Sequence, residues 1–163
     1  MILDTQLRFS GAIANDAAAT ITGQAITATA ISTNVLDLRA PGSTPAIVDE
    51  ALGEWNLTLI VKTTTAANGA DAAKTLTITL ESDVDAGLST SVTNHGSSGA
   101  ITGATLVANY VAWRYRMPPG NYERYLGLRY TVSAGFTAFG IEAFLTPNVD
   151  RNIQYPNNYS IDA

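Results

Sequence analysis

Apolar and polar side chains alternate with a period of two along much of this sequence. In residues 74–82, KTLTITLES, Leu76, Ile78 and Leu80 fall on one face and Thr75, Thr77, Thr79 and Glu81 on the other. That spacing makes an antiparallel strand with one face on a core and one in water. Three further runs follow the same rule. Residues 55–63 (WNLTLIVKT) turn Trp55, Leu57, Leu59 and Val61 inward, and 124–132 (RYLGLRYTV) align Leu126, Leu128, Tyr130 and Val132. Residues 137–146 (TAFGIEAFLT) align Phe139, Ile141, Ala143 and Leu145. Weaker strand signals lie at 3–9, 30–38 and parts of 100–116. The abundant threonine fits, because β-branched side chains suit a pleated surface.

Turn chemistry separates these runs. The stretch 40–45 (APGSTP) ends a strand, since proline lacks the ladder donor and glycine tolerates positive φ. Asn68-Gly69, between two strong strands, is the best hairpin signal in the chain. Residues 94–99 (NHGSSG) and 117–121 (MPPGN) read as further loops. A short helix at 46–54 is a minor expectation, and 11–30, all small side chains, reads as a loop or arm. Seven to nine strands with these turns predict an all-β, single-domain antiparallel β-sandwich or jelly roll.

Composition narrows the function. Charged residues make up 14% of the chain, against about 25% in ordinary soluble domains, so the surface is built mainly from threonine, serine, asparagine and alanine. With no cysteine and a single histidine, thiol chemistry, disulfides and Cys/His zinc sites are excluded. A net charge of −5 argues against bulk nucleic-acid binding. The opening Met1-Ile2-Leu3-Asp4 has no cationic or apolar leader, and no apolar run reaches a membrane-spanning length. The expectation is a soluble, non-secreted protein with no membrane partner.

The candidate catalytic groups lack their companions. His95 lies beside Ser97 and Ser98, but the G-x-S-x-G elbow of a serine hydrolase is absent. Asp83 and Asp85 imitate the start of a calcium loop, yet Gly87 and Asn94 stand where later ligands belong, so a solvated turn is expected. Asp49, Glu50 and Glu54 have no neighbours to raise one carboxyl's pKa, as paired acid–base chemistry requires. The sequence therefore predicts no enzyme, no cofactor and no metal.

One segment stands apart. Residues 110–130 hold Arg114, Arg116, Arg124 and Arg129 against Glu123 alone, together with Trp113 and five of the seven tyrosines. Tyrosine, tryptophan and arginine dominate binding hot spots. Arg114 and Arg116, two apart, share one face of a strand. Three readings follow: a core with a solvated basic face, a surface for an acidic or polar protein, or a stacking platform for single-stranded nucleic acid. The sequence favours the protein partner, with Trp113, Tyr115 and Tyr122 among its contacts. The polar tail 147–163 spaces Ile153, Tyr155, Tyr159 and Ile161 along it, and suits an extended arm that lies on a neighbour through Tyr155 and Tyr159.

Four stretches in order, MILDTQLRFSGA, AISTNVLDL, ERYLGLRYTVSAGFTAFGIEAFLT and YPNNYSIDA, resemble the capsid cement (decoration) proteins of tailed phages of the Bordetella-phage type. The likeness is loosest over 40–120. It implies a jelly roll on the capsid exterior of the virion, made in the host cytoplasm, that binds major capsid protein and its own copies as dimers or trimers. It carries over no catalytic residue. A carbohydrate- or receptor-binding jelly roll of a phage tail is the alternative, with Trp113 and Tyr115 stacking on sugars.

Overall fold

The computed structural model describes residues 7–13, 21–38, 57–119 and 121–146. The alternating runs become strands. β7 (Thr58–Thr65), β8 (Thr75–Asp83), β11 (Tyr125–Val132) and β12 (Gly140–Thr146) are the four strongest periodic segments, displaced by a few residues at most. Around them stand β1 (Arg8–Ser10), β2 (Ala12–Ile13), β3 (Ile21–Thr22), β4 (Gln24–Ala25), β5 (Ala30–Ile31), β6 (Leu36–Asp37), β9 (Thr93–Thr102) and β10 (Val111–Arg116). Two five-stranded sheets result. The first runs β1-β12-β7-β10 with β4 also on β12, and the second runs β5-β11-β8-β9 with β6 also on β11. Every pairing is antiparallel.

The sheets close over one apolar cluster. Leu59, Val61, Ile141, Ala143 and Leu145 enter it from the first sheet, and Leu76, Ile78, Leu80, Leu126, Leu128 and Tyr130 from the second. These are the positions the period of two turns inward, and the all-β sandwich follows from them. A buried polar link ties the layers: the hydroxyls of Tyr130 and Ser10 lie 2.6 Å apart, and Ser10 Oγ donates to Gln24 Oε1 at 2.7 Å. Burial raises the Tyr130 phenol well above its ordinary value, with the Ser10 contact working the other way.

Several expectations need correction. Residues 94–99 are not a loop but the middle of β9, paired with β8 through two register shifts. Glycine and serine conceal a strand because they supply no apolar face, while the backbone pairs regardless. Asn68-Gly69 does not turn a hairpin. β7 and β8 lie in different sheets, so 66–74 is a crossover, and Asn68 caps a short 3-10 turn at Gly69–Asp71. Within 11–30, the arm is partly β2, β3 and β4, and 30–38 is broken into β5 and β6. The face of β12 opposite Ile141 and Leu145 is buried too, through Glu142, Phe144 and Thr146. The helix expected at 46–54, Trp55, and the tail 147–163 lie outside the described residues.

The segments 103–110, 117–124 and 133–139 also change sheets, whereas 84–92 returns within one. At one end of the sandwich three crossovers interlock around Asp71, which is fully buried. Its carboxylate pairs with Lys74 and accepts the Thr137 N–H at 2.8 Å. Lys74 Nζ also donates to the Gly135 carbonyl, and the Gly103 N–H bonds the Lys74 carbonyl at 2.7 Å. Gly103 is required here, since a Cβ would stand 2.1 Å from the Asp71 carbonyl oxygen.

Candidate functional site

β10 is the edge of the first sheet, held by β7 alone in register Trp113↔Val61, Arg114↔Ile60 and Arg116↔Thr58. Alternation along it separates two chemistries. Arg114 and Arg116 are exposed on the outer face, as their spacing requires. Trp113 turns inward, 9% exposed, and stacks on half-buried Tyr115 with ring centroids 4.9 Å apart. At the N-terminal end of the strand, Val107, Tyr110 and Val111 remain exposed.

Of the other two arginines, Arg124 ends the crossover that leads into the second sheet and Arg129 lies on β11, and each pairs with a carboxylate. Arg124 forms a two-pronged pair with Asp37, Nε to Oδ1 at 3.0 Å and Nη2 to Oδ2 at 2.8 Å, and lies over the Tyr125 ring. Arg129 reaches Glu81 at 2.8 Å and the Leu88 carbonyl at 2.6 Å. The crossover 117–124 is what divides the basic segment, so the four arginines form no common face. Asp37 and Glu81 were the missing partners. Their signal in the sequence was position on a wet strand face, but only register brings them to the arginines. Tyr122, 4% exposed, is a core residue whose hydroxyl donates to the Pro118 carbonyl at 2.5 Å. Burial, helped by Tyr115, pushes its phenol up to about 12. Tyr155 and Tyr159 lie outside the described residues.

His95 sits where β9 and β10 meet at the open side of the sandwich. Its partner is neither Ser97 nor Ser98 but Ser82 on β8, with Nε2 and Oγ 2.7 Å apart. Glu123 also contacts Ser82: its N–H donates to Oγ at 3.1 Å, and Oγ lies 3.4 Å from its Oε2. This is a serine, a histidine and a carboxylate, but not the order of a hydrolase triad. The acid meets the serine rather than the imidazole, and Ser82 is fully buried.

Asp83 organises the 84–92 turn, its carboxylate accepting the N–H groups of Asp85, Thr90 and Ser91 at 2.8–3.2 Å. Burial raises its pKa, but these backbone donors outweigh it and the net direction is down from 3.8. Asp71 is also lowered, foremost by its bond to Lys74. Both groups therefore bind protons more readily unfolded than folded. Stability is expected to be complete above about pH 4 and to fall as pH drops through the lower folded values. Denaturant midpoints measured against pH should show this loss, and Asp83→Asn should flatten it. Among the described residues no three His, Asp or Glu side chains cluster as metal ligands, and no helix is long and apolar enough to cross a membrane. Asp49, Glu50 and Glu54 lie outside the described residues.

The sequence matches the Bbp16 family model over residues 20–145, which spans β3 to β12. The family's name points to a protein of a Bordetella phage. No curated protein matches the chain.

Proposed function

The chain belongs to the Bbp16 family, and on that premise we propose that it is a structural protein of a phage virion. It binds the outer surface of the capsid and stabilises it by bridging major capsid protein subunits. The observation that carries this reading is the match to a phage-protein family over most of an antiparallel β-sandwich. The chain path supports it. With β1 and β4 counted as one strand and β5 and β6 as another, the sheets hold four strands each and the chain crosses between them repeatedly. This path supports reading the sandwich as a jelly roll, an architecture common in capsid proteins.

The contact face is the outer side of β10. Arg114 and Arg116 present paired cations there, within a chain whose net charge is −5. Arg124 and Arg129 shape the fold through Asp37 and Glu81. An acidic or polar patch of capsid protein matches the β10 cations. Modest contacts of this kind, repeated over a closed lattice, add by multivalency. Self-association on the shell and the tail tyrosines Tyr155 and Tyr159 would extend the contact.

The test is binding to preassembled shells. Wild-type protein is expected to saturate them at a fixed ratio to the major capsid protein. Arg114→Ala with Arg116→Ala should weaken binding by about tenfold or more, the loss of roughly 1.4 kcal/mol, with folding intact. Unchanged binding of the double variant would remove the β10 face from the interface. Hits on a glycan array, with no binding to shells, would favour the carbohydrate-binding alternative, which the burial of Trp113 already disfavours.

A further inference from the structure

His95 is the only histidine of the chain, on the edge strand β9 beside the register shift opposite Leu80 and Glu81. Three elements meet it. β8 brings Ser82, and the segment between β10 and β11 brings Glu123 onto the same hydroxyl. That segment also lays the Tyr122 ring 4.5 Å from the imidazole. β10 brings Tyr115, whose hydroxyl donates to the His95 carbonyl at 2.8 Å. Gly96 makes room for this contact, since a Cβ there would stand 2.7 Å from the Tyr115 ring. The groups facing His95 are thus one carboxyl, Glu123, and two phenols. Glu81, also on β8, is turned away to Arg129.

We propose that His95 is a pH-operated latch, closing the β9–β10 side of the sandwich when neutral and releasing the β9 edge when protonated. The chemistry follows from the Ser82 hydroxyl, which has one proton to give. The latch places the proton of neutral His95 on Nδ1, so that Ser82 donates to Nε2 across the 2.7 Å between them. A proton arriving on Nε2 turns that acceptor into a donor. The hydroxyl must then swing its own proton toward Glu123, whose Oε2 stands 3.4 Å away, too far for a strong bond. The new positive charge is meanwhile half-buried beside an aromatic ring. Burial lowers the His95 pKa from 6.5, and Glu123 only partly offsets it. An opened edge therefore takes the proton more readily than the closed seam. The seam's stability is complete above about pH 6.5 and declines as pH falls from there to the folded value.

The experiment uses the isolated chain, so it does not depend on the capsid reading. The imidazole signals of the single histidine and the amide exchange of β9 are followed from about pH 7.5 to about pH 5 in the wild type, His95→Gln and Glu123→Gln. The wild-type ring should titrate below 6.5, and lower again in Glu123→Gln, because the carboxylate that favours the proton is gone. Protection of β9 amides, corrected for intrinsic exchange, should fall by about threefold or more on acidification, and stay level in His95→Gln. A ring midpoint at or above 6.5, unchanged β9 protection, or an equal fall in His95→Gln would each overturn the latch. Should His95→Gln not fold, the wild type decides alone. A loss of β9 protection confined between about pH 6.5 and the ring midpoint supports the latch, and a loss outside that window refutes it.

Discussion

Leu128→Ala is expected to destabilise the protein by about 2–5 kcal/mol, read as a lower denaturant midpoint with an unchanged slope. Leu128 is fully buried on β11, opposite Leu80 of β8, within the cluster that joins both sheets. Its backbone is fixed as well. Its carbonyl accepts the Ser32 N–H at 2.7 Å, and its N–H donates to Ser32 Oγ at 3.1 Å. With the strand pinned on both sides, the sheet has little freedom to collapse into the space a truncated side chain leaves. That places the cost well above a simple loss of apolar area. Thr131→Ala, on the exposed face of the same strand, should change stability by no more than about 0.5 kcal/mol. If the two variants behaved alike, the assignment of the two faces of β11 would be wrong.

The second large effect has the opposite sign. Arg8→Met is expected to stabilise the isolated protein by about 1–4 kcal/mol. Arg8 lies on β1 opposite Phe144 and is 2% exposed, yet among the described residues none of its three guanidinium nitrogens has a hydrogen-bond partner. Glu142 is near it: Arg8 Nη1 and the Glu142 Cβ both lie within 3.6 Å of the point where a Gly11 Cβ would stand. That carboxylate is turned instead toward Lys62, at 3.8 Å, and its second oxygen is also unsatisfied. A buried charge without acceptors forfeits its hydration and gains nothing in exchange, whereas methionine fills similar space without that cost. Denaturation of Arg8→Met beside wild type tests this. A loss of more than about 1 kcal/mol would mean that the guanidinium finds an acceptor in solution.

The sequence revealed strands where side chains carried the signal. β8 and β11 were legible because Leu76, Ile78 and Leu80, or Leu126, Leu128 and Tyr130, repeat every second residue against polar neighbours. β9 was not, because Asn94, Gly96, Ser97 and Gly99 give no contrast between its faces. The candidate site was half legible. The shared exposure of Arg114 and Arg116 follows from strand spacing, but the inward turn of Trp113 needs a sheet to turn toward. Likewise, His95 had two serines as sequence neighbours, and its actual partner, Ser82, is thirteen positions away.

What the sequence determined alone is therefore local: the strands whose side chains alternate, which face of each is apolar, and the shortage of charge that leaves a threonine-rich surface. A period of two is a property of a few consecutive residues and can be read without knowing the neighbouring strand. The tertiary structure decided which strand lies beside which. Asn68-Gly69 turns the chain equally well into a hairpin or a crossover, and the crossover prevails because β7 pairs with β10 and β12, and β8 with β9 and β11. The same pairing gives Arg124 and Arg129 their carboxylates, leaves Arg8 without one among the described residues and brings His95 to Ser82. Each of these contacts depends on register between distant segments, and register is set by how two apolar faces close over a single core.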